Sequence, residues 1–232
     1  MFDLEKIFIR LESLSNPKAI EGMAKFAISS DRNFGVSMPE LRKLGKEIGR
    51  GNHELAQQLW EAQFRETMIL AALVDDPKQL TPEQMESWVM DFYDWEICDQ
   101  TIMNLYEKSP LAWEKAMEWS SREEEFVKRA GFVLMARLAV SDKKAADEEF
   151  YPFFQPIERE AFDNRVYVKK GVNWAIRQIG KRNIELNEKC IALSRGIQQQ
   201  DSSAAKWVAA DAIRELTDEK TLARIKERPK GR

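Results

Sequence analysis

Apolar residues along this chain recur at intervals of three and four instead of alternating. "LEKIFIRLESL", "ELRKLGKEIG", "EEFVKRAGFVLMARLAV", "VNWAIRQIG" and "AAKWVAADAIREL" all read as amphipathic helices, and no segment carries the period-two pattern of a half-buried strand. Prolines fall where a helix begins and a missing N–H costs little: Pro17 after Asn16, Pro39 two residues after Ser37, Pro82 after Thr81 and Pro110 after Ser109. Ser37 with Glu40, and Thr81 with Gln84, have capping-box spacing. The expectation is an all-α protein of about a dozen helices, each roughly 10 to 16 residues long, with no Gly- or Ser-rich linker dividing them. Such a series can stack as antiparallel pairs into a solenoid with a degenerate repeat of about 40 residues, or pack as a globular bundle.

Two helices depart from simple amphipathicity. In "DFYDWEICDQ" and the residues after it, Trp95, Asp99, Ile102 and Tyr106 fall within about 40° of one another, so a carboxylate interrupts an otherwise apolar stripe. In "VYVKKGVNWAIRQIGKRN", Val172, Ala175, Ile176 and Ile179 account for the core, whereas Lys170, Trp174, Arg177 and Lys181 gather on the opposite side. Trp174 among cations is either a packing residue under a neighbouring helix or an aromatic platform in a cationic groove, where lysines meet phosphates and the ring meets a sugar or base. A third element, "EFVKRAGFVLMARLAV", sets Lys128 and Arg129 near the start of a helix whose Phe126, Ala130, Val133 and Leu134 look like core. An Arg129 facing Asp99 would keep a partly buried carboxylate ionised and oriented.

Composition narrows the classes. Of 232 residues 44% are hydrophobic and 32% charged, and the formal net charge is −3, which by itself argues against a nucleic-acid binder. The charge is divided unevenly, however: residues 1–119 carry 13 basic and 21 acidic side chains, and residues 120–232 carry 23 and 18. That permits a one-sided basic surface. No apolar run approaches the roughly 20 residues of a membrane span, and "MFDLEKIFIRLESL" is amphipathic and acidic, unlike a signal segment; a cytoplasmic protein is expected. Cys98 and Cys190 are far apart within helical patterns and read as reduced packing residues. The lone His53, after the capping Asn52, lacks partners at ligand spacing, so it reads as a surface residue and neither a metal nor any other cofactor is implied.

Taken together and in order, "FGVSMPELRKLGKE", "WEICDQ", "EFVKRAGFVLMARLAV", "VKKGVNWAIRQIGKRN" and "AAKWVAADAIREL" resemble the AlkD-like DNA alkylation repair family over about residues 5–216, leaving a short basic tail from about 217 to 232. The resemblance implies a single domain over 1–232, an α-α superhelix of HEAT-like antiparallel helix pairs, expected to be monomeric and curved around double-stranded DNA with alkylated bases. It implies a monofunctional glycosylase that removes cationic N3- and N7-alkylated purines without a cofactor. The family's tryptophan and aspartate four residues apart match Trp95 and Asp99, its second tryptophan matches Trp174, and its arginine matches Arg129. Lys128, Lys170, Arg177 and Lys181 would meet the DNA backbone. Departures are Asp94, where the family has an aromatic, and Glu96 and Cys98, which replace smaller or uncharged neighbours; the added negative charge is expected to weaken DNA binding. Some branches of the family keep the fold without excising bases, so a noncatalytic binder of damaged, bent or branched DNA is the alternative, and a protein-interaction scaffold a further one.

Overall fold

In a computed structural model, residues 2–227 are described, and among them every regular element is helical. They divide into two compact units, one ending at Pro110 and one beginning at Leu111.

The first unit holds α1 (Leu4–Ser13), α2 (Pro17–Ala24), α3 (Met38–Ile48), α4 (His53–Glu61), α5 (Arg65–Val74), α6 (Pro82–Met90) and α7 (Trp95–Asn104), followed by a 3-10 turn at Tyr106–Lys108. The starts are written locally. Asn16, Ser37, Asn52 and Thr81 accept from the amides of Ala19, Glu40, Leu55 and Gln84, with Pro17, Pro39 and Pro82 at the first or second helical position. The second helix closes in Schellman fashion, with Ala27 in the left-handed region (φ 56°) and the Ile28 amide donating to the Met23 carbonyl at 3.2 Å. The α5 helix is buried nearly all round and packs against α3, α4 and α7. Trp60 and Trp88 stack at 4.1 Å beneath α4 and α6.

The second unit holds α8 (Ala112–Trp119), α9 (Glu125–Ser141), a 3-10 segment at Asp147–Phe153, α10 (Phe154–Glu160), α11 (Val166–Gly180), α12 (Ile184–Ile197), α13 (Ser203–Leu216) and α14 (Glu219–Glu227). The expected tail therefore begins as helix, and its residues 228–232 lie outside those described. Pro110 does not open α8 as expected: the helix starts at Ala112 without a side-chain cap, and the Ser109 hydroxyl points instead at Met85 Sδ, 3.9 Å away.

Helices α9, α11 and α13 run parallel to one another. Arg165 reaches the Glu123 carbonyl and Tyr167 the Arg129 guanidinium, then Asn173 meets Val208 and Lys181 meets Glu215, at sequence separations of 42, 38, 35 and 34 residues. In the first unit the corresponding links, Val36 to Glu66 and Arg65 to Glu96, span 30 and 31 residues. Two spacings in one chain explain why the repeat is degenerate in sequence. The close approach of α8 and α9 depends on Gly131, where a Cβ would lie 2.4 Å from the Ser120 nitrogen.

Candidate functional site

The residues singled out in sequence lie in both units, and each unit presents its own set. In the first, Asp94 caps α7: its Oδ1 accepts from the Glu96 and Ile97 amides, each at 2.9 Å, and its Oδ2 accepts from the Ser29 amide at 3.1 Å. Burial pushes its carboxyl above the usual range, and the three amides work against that shift. Trp95 opens the helix, half-buried, and its indole N–H donates to the Phe26 carbonyl at 2.8 Å. Asp99 follows one turn later on the same side and is 7% exposed. Ile102 continues the stripe fully buried; Tyr106 is also fully buried but belongs to the 3-10 turn beyond the helix.

Glu96 does not add free negative charge to this surface, which corrects the expectation drawn from it. It is 6% exposed and accepts two hydrogen bonds from Arg65, at 2.6 and 2.8 Å. Arg65 is itself 1% exposed and also donates to Glu66 (2.8 Å) and to the Val36 carbonyl (2.9 Å). Burial would lower the Arg65 pKa, but the two carboxylates outweigh it and hold the guanidinium above its ordinary value. Glu66 in turn accepts from the amides of Phe34 and Val36. The connection between α2 and α3 is thereby tied to the start of α7 through Phe26, Ser29 and Val36. Nothing in the sequence pairs Arg65 with Glu96, because an Arg-Glu dipeptide at the head of an apolar helix looks like ordinary first-turn charge.

In the second unit, Arg129 is 5% exposed and donates to the Tyr167 carbonyl at 2.8 Å, where Gly171 lets α11 pass close to α9. Val172, Ala175, Ile176 and Ile179 are fully buried as expected, and Trp174 stands off that stripe, half-buried, on the side that carries exposed Lys170. The other three cations differ from expectation. Lys128 is 4% exposed, with its ammonium 2.7 Å from Glu160 and 3.9 Å from Asp163, so its charge is matched internally. Arg177 and Lys181 both close on Glu215 of α13, the latter at 2.5 Å, and Arg177 also lies 3.7 Å from Asp211. Burial alone would raise the Glu215 pKa; the two cations outweigh it and lower it. Sequence reading also left two residues without a role: Trp207, 42% exposed on α13, and Lys169, whose ammonium sits 5.1 Å from the centre of that indole.

Elsewhere, His53 is not a plain surface residue, since its Nδ1 lies 2.8 Å from fully buried Asp75. Cys98 and Cys190 are buried and not joined in a disulfide, and burial pushes the Cys190 thiol well up. Among the described residues no helix is long and apolar enough to cross a membrane.

Helices joined to one another at intervals of about 30 to 40 residues, as within each unit here, are the build of a helical-repeat protein. A solved structure described as a new family of proteins related to the HEAT-like repeat DNA glycosylases, with affinity for branched DNA structures, shares this fold. It matches with a TM-score of 0.75 over 92% of this chain and 95% of that one, at 17% identity. Two uncharacterized Listeria proteins are similar as well: Lin0241 of Listeria innocua is 25% identical and Lmo0209 of Listeria monocytogenes 24%, each over 57% of this chain. The matched part is 60% of the length of these relatives. The family model of the DNA alkylation repair enzymes matches residues 9–216, and the chain belongs to that family.

Proposed function

We propose that the protein is a DNA repair glycosylase that hydrolyses the N-glycosidic bond of cationic N3- or N7-alkylated purines in duplex DNA. The observation that carries this reading is the pairing of Trp95 and Asp99 one turn apart on α7, with the indole N–H anchored on the Phe26 carbonyl at 2.8 Å. An aromatic face held in one orientation beside a carboxylate suits a transition state whose positive charge moves onto a sugar.

Alkylation at N3 or N7 gives the purine a formal positive charge, so the base leaves as a neutral molecule without prior protonation. A general acid, which ordinary glycoside hydrolysis requires, is dispensable. As the bond to the base lengthens, the deoxyribose becomes oxocarbenium-like. Asp99 stabilises that charge and orients the water that attacks the anomeric carbon, while Trp95 offers its electron-rich face. In the second unit, Trp174 and Lys170 meet the sugar-phosphate backbone, and Arg129, held in one orientation by the Tyr167 carbonyl, is directed at a phosphate. Lys128, Arg177 and Lys181 are left out because their charges are matched within the unit.

The test is base release from a duplex carrying one N7-methylguanine, with Asp99→Asn in the same assay. Loss of one well-placed electrostatic stabiliser costs about 3 to 4 kcal/mol, so release should fall by roughly two to three orders of magnitude. Undiminished release by Asp99→Asn would refute the role given to that carboxylate. Binding without release by the wild-type protein would favour the second reading, a noncatalytic binder of branched or bent DNA. The branched-DNA affinity named for the protein that shares this fold supports that reading, and 7% exposure leaves the Asp99 carboxylate little open surface.

A further inference from the structure

We infer that Trp207, with Lys169, forms a separate platform for an unpaired nucleotide, extending the DNA-binding face of the second unit from α11 to α13. The inference rests on the DNA-directed reading above, although not on glycosylase chemistry.

Helix α13 buries Ala204, Ala205, Val208, Ala209 and Ala212, a stripe sufficient to seat it on α11 and α12. Trp207 is not part of that stripe. It stands with Ser203, Ala210 and Arg214 on the exposed side and leaves 42% of its surface open. A large ring there is not accounted for by packing, and a tryptophan is a poor choice for a solvated face. Its position repeats that of Trp174, which stands off the buried stripe of the neighbouring parallel helix.

The charges around it point to a polyanion. The Lys169 ammonium lies 5.1 Å from the indole centre. Lys169 and exposed Lys170 hold no ion pair among the described residues, and Lys206 has only the exposed Asp201 at 3.6 Å. The carboxylates of neighbouring segments are already matched: Asp163 by Arg165 and Lys128, Asp211 by Arg214, and Glu215 by Arg177 and Lys181. The unmatched cations of α11 thus lie toward its amino end, and one of them, Lys169, stands against Trp207. The preceding turn is drawn to the same place, because the Phe162 carbonyl accepts from the Ser202 hydroxyl at 3.3 Å and Asn164 lies 3.4 Å from the Ser203 hydroxyl. That turn brings a second open aromatic, Phe162, 55% exposed. Aromatic faces between cations hold single-stranded nucleic acid by stacking bases while lysines meet the flanking phosphates, and a paired base offers no open face to such a ring.

The test compares three probes by fluorescence anisotropy at fixed salt: a blunt duplex, the same duplex with a thymidine extension of about ten nucleotides, and that extension alone. The full chain is used as wild type, Trp207→Ala, Trp207→Phe and Lys169→Ala. The wild type should favour the extended over the blunt duplex. Trp207→Ala should lose roughly ten- to a hundred-fold on the extended duplex and on the single strand, with blunt-duplex binding unchanged. Trp207→Phe should recover most of the loss, and Lys169→Ala should flatten the salt dependence. Equal wild-type affinity for blunt and extended duplexes would overturn the inference. So would a Trp207→Ala loss that is the same on both, or a patch indifferent to all three probes that instead captures a protein. Base release from the blunt methylated duplex, measured on the same variants, reports on the glycosylase reading independently.

Discussion

Replacing Arg65 by Met tests whether the start of α7 is fixed by charge. The guanidinium makes two bonds to Glu96, one to Glu66 and one to the Val36 carbonyl, all in a setting where it is 1% exposed. Methionine fills much of the volume but strands Glu96, whose carboxylate then has neither water nor a cation. Breaking a buried pair from one side costs about 3 to 5 kcal/mol, and the orphaned Val36 carbonyl adds about 1 kcal/mol. Glu66 contributes less to the loss because it keeps the Phe34 and Val36 amides. A total of about 4 to 6 kcal/mol lowers Tm by about 10 to 20 °C for a chain of this size, read by calorimetry or circular dichroism. Hydrogen exchange should quicken first in the first turn of α7, at the amides of Glu96 and Ile97. The double variant Arg65→Met/Glu96→Leu removes both charges and should regain at least half of the lost stability, since apolar replacement of a whole buried pair is often close to neutral. A drop in Tm below about 3 °C for the single variant, or a double variant no better than the single, would refute the argument.

Two further outcomes concern the second unit. Gly131→Ala places a Cβ 2.4 Å from the Ser120 backbone nitrogen, which cannot rotate away, so α8 and α9 must separate; a cost of about 1 to 3 kcal/mol is expected in urea unfolding. Glu215 has its pKa lowered in the folded state, against the opposing effect of burial, by Lys181 and Arg177, so its contribution is present above its ordinary value of 4.5 and is lost as the pH falls through that value toward the lowered one. Glu215→Gln should therefore be less stable than wild type at neutral pH, with the two Tm curves converging in acid; a constant gap between them across that range would contradict the linkage.

The helices and their caps were legible in the sequence because they are local. Asn16, Ser37, Asn52 and Thr81 each satisfy an amide three residues ahead, and the three- and four-residue spacing of apolar residues names the buried stripes of α11 and α13. It does not describe α9, which is buried on nearly every side, Lys128 and Arg129 included, while Phe126, expected in the core, is only half-buried. The Ser109 and Pro110 signal failed because the hydroxyl found Met85, 24 residues away, and a cap is only one of the partners a serine can take. The repeat was legible only in outline, since its links span 30 and 31 residues in the first unit and 34 to 42 in the second. Trp95, Asp99 and Trp174 stood out as aromatic or charged residues at odds with their own helix. Trp207 was equally at odds with the alanine stripe of α13, but the cations that give it meaning are 37 and 38 positions earlier, on α11.

Charge is where sequence counting and the folded chain diverge most. The excess of cations in residues 120–232 suggests a basic helix face running the length of α11, from Lys170 to Lys181. Folding divides that face. Its carboxyl end meets Glu215 and Asp211, because α13 runs parallel to α11 and sets these two carboxylates beside Arg177 and Lys181. Its amino end meets Trp207 and no carboxylate, so Lys169 and Lys170 keep their charge for something outside the unit. The same matching removes Glu96 from the acidic total of the first unit by way of Arg65. Each buried match costs desolvation that an exposed pair would avoid, and its return is a fixed geometry between neighbouring helices. A polyanion approaching the second unit therefore responds to the few cations left unmatched, and Lys169 places part of that response next to Trp207.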